Sequence, residues 1–174
     1  MTQIEGLREQ VRAALDRARA LECDPNWSRL LEAGVWSAAQ CVAHLSQSSD
    51  MMLPPLEEAV HSAGTGPGPY RLNWKERLLI WYMEPPYRLK VKTRGGFTPQ
   101  PAEPEHILMD FEQRQHRLEE LLNVAGGKAL DLVRITSPFS ANVSYSAWAG
   151  LMLLQAHQRR HLWQAGQILS RLRI

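Results

Sequence analysis

Two histidines one helical turn apart are the residues whose type and spacing most directly suggest chemistry. His157 and His161 stand four positions apart in a segment without helix breakers. Each residue of an α-helix advances by about 100°, so these side chains point in nearly the same direction, with Cβ atoms about 5–6 Å apart. Imidazoles at that separation can bind one metal ion. No glutamate follows His157, so the pattern does not predict a zinc protease, whose HExxH motif needs that base.

The histidine pair lies on the apolar stripe of its predicted helix. Residues within about 60° of the direction of His157 are Gly150, Leu153, Leu154, His161, Gln164 and Ile168. Residues on the opposite side are Gln155, Arg159 and Gly166. Imidazoles that point into a core need partners for their nitrogens. A metal ion would satisfy both at once, and two hydrogen-bonded core histidines are the alternative that the spacing leaves open.

His44 is a third candidate ligand. It follows a predicted capping box of Ser37 and Gln40, on a helix face shared with Cys41 and Ser48. Imidazole suits zinc, nickel, copper and iron, and a site with three protein ligands keeps a position for water or substrate. A hydrogen-bonded helix residue is the simpler interpretation of His44 alone. The other histidines are expected to be exposed; they are His61, His106 and His116.

Hydrophobic periodicity predicts the helices that position these side chains. Long helices are expected over about 3–21, from 37 to the Pro54-Pro55 pair, over 104–124 and over 144–172, with a short helix over 73–83. The two prolines should either kink the second helix or begin a fresh one that runs to about 61. An extended connection is expected over 84–104, and strand signals are weak. The predicted fold is therefore all-α: one domain over 1–174, a four-helix bundle with a long crossover and an additional short helix.

Composition excludes several classes of function. The 20 basic and 18 acidic residues give a net charge of +2, which predicts no nucleic-acid partner, and the Arg159-Arg160 pair is expected on a solvated face. Cys23 and Cys41 are too few for a disulfide framework, which favours a reducing compartment. Without a secretory signal or an apolar run of about 20 residues, we expect a cytoplasmic protein with no membrane partner.

Two motifs resemble those of the DinB/YfiT-like superfamily of metal-dependent enzymes. One runs from Trp36 to Leu45, and the other from His157 to Gln164. The segments 97–99 and 137–139 are similar as well. The resemblance implies a four-helix bundle, often dimeric, in which His44, His157 and His161 hold one divalent metal ion (zinc, nickel or iron). Characterised relatives include transferases that attach a low-molecular-weight thiol, such as bacillithiol or mycothiol, to electrophiles, and a thiol-dependent isomerase.

These observations leave two hypotheses of function. The first is a metal-dependent thiol transferase or hydrolase acting on a small-molecule substrate, with no general base identified and with Gln164 as a possible support for an imidazole or simply a packing amide. The second is a non-catalytic, dimeric bundle that binds a metal or a small molecule, which a fourth ligand such as Cys41 would favour. Most of the tryptophans are expected in the core, and some could line a dimer face or a ligand cleft; they are Trp27, Trp74, Trp81, Trp148 and Trp163.

Overall fold

The computed structural model describes residues 2–66, 68–86 and 104–173, and this part of the chain is mostly helical. Its helices are α1 (Gln3–Glu22), α2 (Ala38–Ser62), α3 (Trp74–Met83), α4 (Pro104–Ala125) and α5 (Ala147–Leu172). Two strands, β1 (Arg134–Ser137) and β2 (Ser140–Ser146), precede α5. Among the described residues, no helix combines the length and apolar character that crossing a bilayer requires. Most of the predicted 84–104 connection, including the 97–99 motif, lies outside the described residues.

The predicted capping box fixes the start of α2. The Ser37 hydroxyl oxygen accepts a hydrogen bond from the backbone N–H of Gln40 at 3.1 Å, and the Gln40 side-chain oxygen accepts one from the N–H of Ser37 at 2.9 Å. These bonds satisfy two backbone donors that the helix itself cannot. The helix that carries His44 therefore begins at a defined residue.

A separate helix at Pro54-Pro55, one of the two predicted outcomes, does not form. The helix α2 continues through both prolines to Ser62. It packs against α4 and α5 along its length, and residues on both sides of the prolines, such as Leu53 and Leu56, are fully buried. Because this packing continues past the prolines, it offsets the backbone hydrogen bonds that proline cannot make.

The all-α prediction misses a small antiparallel hairpin formed by β1 and β2. Ile135 pairs with Tyr145, and both side chains are buried. Strand pairing continues to Ser146, whose hydroxyl oxygen accepts from the N–H of Ala149 and caps α5, so α5 begins later than the predicted 144. The hairpin packs on the first turn of α5 at Gly150, where an added Cβ would lie 3.0 Å from a methyl carbon of Ile135. Two short strands in a largely polar segment give little periodic signal, which explains why the sequence did not predict them.

The apolar core consists of two clusters stacked along the bundle. The cluster nearer the hairpin is called the hairpin-side cluster. On the four long helices it extends as far as Val11, Met52, Leu118 and Ala156. The other cluster contains Trp27 and is called the Trp27 cluster. On the same helices it starts at Ala14, Leu45, Phe111 and Leu162. On each of these helices a short interval separates the two clusters. His157 and His161 lie in the interval on α5, and His44 directly precedes Leu45, the cluster residue that borders the interval on α2.

Candidate metal centre

The three predicted ligands converge on one point between α2 and α5. The Nε2 atoms of His44 and His157 are 3.3 Å apart, and one nitrogen from each of the three rings lies within 4.8 Å of the others. The ring centroid of His161 is 4.6 Å from that of His44 and 4.5 Å from that of His157. The predicted convergence of His44, His157 and His161 is confirmed.

Helix geometry explains this arrangement. His157 and His161 project from adjacent turns of α5, as their spacing predicts. The helix α2 packs along α5, so His44 faces the gap between the two rings of the pair. The site therefore depends on one local spacing and on one long-range helix packing.

Burial favours the neutral form of the two imidazoles on α5. His44 is 6% exposed, His161 is 9% exposed, and His157 is partly buried. Burial lowers the pKa of His161 to about 3, with the neighbouring His44 adding to the shift. Burial, and then the proximity of His161 and His44, also lowers the pKa of His157 well below its usual value. Neutral imidazole is the form that binds metals, because its free nitrogen carries the lone pair.

Gln164 orients the imidazole of His161. This is one of the two roles that the sequence left open for this glutamine, the other being a packing amide. Nδ1 of His161 lies 3.0 Å from the side-chain oxygen of Gln164. An oxygen can only accept, so this bond requires the proton on Nδ1 and leaves the lone pair of His161 on Nε2. Such a partner, which fixes the tautomer and the ring orientation, accompanies most histidine ligands. On the other helix, the Ser48 hydroxyl lies 3.4 Å from Nε2 of His44.

Trp36 covers the site from the start of α2. Its ring centroid is 4.9 Å from that of His44 and 5.9 Å from that of His161. Sequence analysis included Trp36 in a motif but gave it no role. The available signal was its position directly before the N-cap Ser37, from which an apolar side chain often folds back over the first turn.

The prediction of a solvated face on α5 is wrong for Gln155 and Arg160, whereas Arg159 and Gly166 are partly exposed. Gln155 is 2% exposed, and Arg160 is 7% exposed. Arg160 donates through Nη1 to the backbone carbonyl of Tyr82 at 3.1 Å, while Arg159 forms an ion pair with Glu84. The physical reason is that α5 packs against α1, α2, α3 and the hairpin, so it is enclosed on almost every side. The positive charge of Arg160 also helps to lower the pKa of both α5 histidines.

Within the described residues, no fourth protein ligand joins the cluster. The only group of histidine, cysteine or acidic side chains found there at metal-binding separation consists of the three histidines. Cys41 is buried elsewhere in the core, and burial raises the pKa of its thiol strongly. The neutral thiol is a poor metal ligand, because the thiolate is the form that coordinates.

The donor set and its spacing fit a transition metal. Metal–nitrogen bonds of 2.0–2.1 Å at tetrahedral angles place two ligand nitrogens about 3.3–3.4 Å apart. The 3.3 Å between His44 and His157 equals that value. The third nitrogen lies within 4.8 Å of both.

The remaining histidines and tryptophans divide between surface and core. His61, His106 and His116 are exposed, as predicted. Trp27 and Trp148 are buried, whereas Trp74 and Trp81 are 70% and 53% exposed. These two exposed rings line a groove of about 720 Å³ between α3 and the hairpin, to which none of the three clustered histidines contributes. Trp163 lines a second groove, of about 420 Å³, between α1 and α5.

The chain has no significant match among family models, among curated proteins or among solved structures. Membership of the DinB/YfiT-like superfamily therefore stays a prediction that rests on the two motifs.

Proposed function

We propose that the protein binds one divalent metal ion through His44, His157 and His161 and that it is a metal-dependent enzyme. The observation that carries the proposal is the 3.3 Å separation of Nε2 of His44 and Nε2 of His157, with a nitrogen of His161 within 4.8 Å of both. Three imidazoles without a carboxylate form a set that suits zinc, nickel or iron rather than magnesium or calcium, which prefer oxygen ligands.

The number of protein ligands favours a catalytic site over a structural one. Structural zinc sites are closed by four protein ligands, whereas catalytic sites keep a position for water or substrate. In the described chain the cluster has three members, and the raised pKa of Cys41 argues against this thiol as a fourth. The non-catalytic alternative therefore has less support than the enzyme.

The residues of the site each have a definite part in this proposal. A divalent ion, when bound, supplies Lewis acidity that lowers the pKa of a coordinated thiol or water. Gln164 holds the proton of His161 on Nδ1, and so presents Nε2 to the site. Trp36 packs against the rings of His44 and His161 and shields that side of the site from water.

We extend the proposal to two reaction classes on the basis of the motif resemblance. One is the transfer of a low-molecular-weight thiol to an electrophilic small molecule. In this reaction the thiol sulfur forms a bond to the electrophilic carbon, the bond from that carbon to its leaving group breaks, the leaving group departs with the electron pair, and the thiol proton goes to solvent. The other is hydrolysis. The same resemblance suggests a homodimer, which light scattering of the purified protein tests.

The first experiment measures metal content and metal affinity. We expect one zinc, nickel or iron ion per chain in the purified or reloaded protein, and loss of that ion in His44→Ala, His157→Ala and His161→Ala. The exposed histidines provide matched controls: His61→Ala and His116→Ala should retain the full content. A wild-type chain that takes up no stoichiometric metal under any loading condition would overturn the proposal.

The second experiment separates catalysis from binding. Metal-loaded protein is assayed for the consumption of small thiols in the presence of a chromogenic electrophile and, separately, for the hydrolysis of activated esters. We expect turnover in one assay that disappears with a chelator and returns with metal. Stoichiometric metal without turnover across a broad panel of thiols, electrophiles and esters would instead support the non-catalytic bundle.

A further inference from the structure

Ser48 is a buried polar residue whose side chain reaches the histidine cluster. It follows His44 by four positions on α2, so the two side chains lie on the same face of the helix, one turn apart. The residue is 1% exposed. Its hydroxyl oxygen lies 3.4 Å from Nε2 of His44, and within the described residues this contact is the hydrogen bond that the hydroxyl forms.

The nitrogen that Ser48 contacts is the one that faces the proposed ion. Nε2 of His44 is 3.3 Å from Nε2 of His157, the separation expected of two ligands on one ion. Gln164, by contrast, contacts Nδ1 of His161, the nitrogen that does not face the site. An ion bound to Nε2 of His44 therefore has the Ser48 hydroxyl as a close polar neighbour.

Metal binding deprives this hydroxyl of its acceptor. Nε2 of an imidazole has one lone pair, and once the nitrogen gives that pair to an ion it no longer accepts a hydrogen bond. A buried hydroxyl without a partner is costly, so the Ser48 proton needs a different acceptor in the metal-bound protein. An exogenous ligand in the fourth position brings such an acceptor to the same place. The backbone carbonyl of His44, one turn back in α2, is the competing acceptor.

We propose that Ser48 donates a hydrogen bond to the small molecule that completes the coordination of the metal. This inference rests on the proposed metal site, to which it adds a residue that touches the exogenous ligand rather than the ion. The hydroxyl favours ligands whose donor atom keeps a second electron pair to accept its proton. Small anions such as a thiolate or azide meet this requirement.

Azide binding to the cobalt(II)-loaded full chain tests the proposal. Cobalt(II) belongs to the divalent first-row ions that bind such sites, and its visible absorption changes when an anion enters its coordination shell. We expect Ser48→Ala to take up one cobalt ion with wild-type affinity. The same variant should bind azide about 10–100-fold more weakly, because a hydrogen bond to an ionised group is lost.

Ser49→Ala is the matched control for this measurement. Ser49 lies on the same helix and is also 1% exposed. Its hydroxyl forms no hydrogen bond in the described part of the chain and does not contact the histidine cluster there. We therefore expect this variant to keep both the cobalt affinity and the azide affinity of the wild type.

The possible results separate this proposal from the proposed metal site. A wild-type chain that takes up no cobalt contradicts both. Full cobalt uptake without azide binding, or with equal azide affinity in the wild type and Ser48→Ala, contradicts the role of Ser48 alone. A folded Ser48→Ala chain that no longer takes up cobalt also contradicts it, because Ser48 would then support His44 instead of the exogenous ligand.

A crystal structure of the wild-type protein with cobalt and azide keeps the proposal testable even if Ser48→Ala does not fold. We expect Oγ of Ser48 at about 2.7–3.2 Å from the nearest azide nitrogen. A hydroxyl that donates to the backbone carbonyl of His44 in that complex would overturn the proposal.

Discussion

Nε2 of His44 lies 3.3 Å from Nε2 of His157, although 113 positions of sequence separate the two residues. The contact exists because α2 and α5 pack together along most of their length. It brings two imidazole nitrogens together in a largely buried place. A cation between the two nitrogens would accept a lone pair from each of them.

Metal binding should stabilise the folded chain. An ion that binds only the native state raises the free energy of unfolding by about 2.7 kcal/mol when its free concentration is 100 times the dissociation constant. We expect zinc or nickel to raise the thermal midpoint of the wild-type protein, measured by circular dichroism, and a chelator to reverse the rise.

The matched variants for this measurement are His157→Ala and His116→Ala. The first removes a ligand and should abolish the metal-dependent rise, while the second changes an exposed histidine and should keep it. A rise that persists in His157→Ala would place the bound metal elsewhere on the protein.

Gln164→Leu should weaken metal binding without removing a ligand. The bond from Nδ1 of His161 to Gln164 fixes the tautomer that presents Nε2, and the loss of such a partner commonly costs about 10–100-fold in metal affinity. Isothermal titration with zinc measures the change. Gln167→Leu, on an exposed position of the same helix, should leave the affinity unaltered. Equal affinities in the two variants would show that Gln164 does not support the site.

The stability of the metal-free protein should fall as the pH drops below 6.5. Unfolded histidines take up protons near pH 6.5, whereas the pKa of His161 in the folded protein is about 3 and that of His157 is well below 6.5. The unfolded state therefore binds more protons between these limits, and the free energy of unfolding decreases by up to about 1.4 kcal/mol per pH unit for each histidine. This contribution of the two histidines to the free energy of unfolding is fully present above pH 6.5 and is lost as the pH falls towards 3.

Urea unfolding of chelator-treated protein at a series of pH values measures this slope. His157→Gln/His161→Gln, which keeps polar side chains but removes both titrating rings, should show a smaller slope between pH 6.5 and 5, where most carboxylates have not begun to titrate. Parallel curves for the wild type and the double variant would mean that the two rings become protonated in the folded state.

The sequence predicted the site better than it predicted the fold around it. The spacing of His157 and His161 is a local property of one helix, so periodicity was enough to place both rings on one face. The approach of His44 depends on packing between distant segments, and only the motif resemblance indicated it. The burial of Gln155 and Arg160 was not predicted, because the argument from the sequence assumed one solvent-exposed face on the helix. In the structure, α5 packs against several elements. The β1–β2 hairpin was missed because its polar residues alternate too weakly.

Ser37→Ala should connect local helix stability to the metal site. The Ser37 cap fixes the first turn of α2, between Trp36 and His44, and replacing an N-cap serine by alanine costs about 0.5–2 kcal/mol. Fraying of that turn should also displace Trp36 from the His44 and His161 rings, so we expect weaker zinc binding together with the loss of stability. Thr2→Ala removes the equivalent cap of α1, which carries none of the three ligands, and should lower stability by a similar amount while leaving zinc affinity unchanged. If both variants lower the affinity equally, global stability and not the first turn of α2 controls the site.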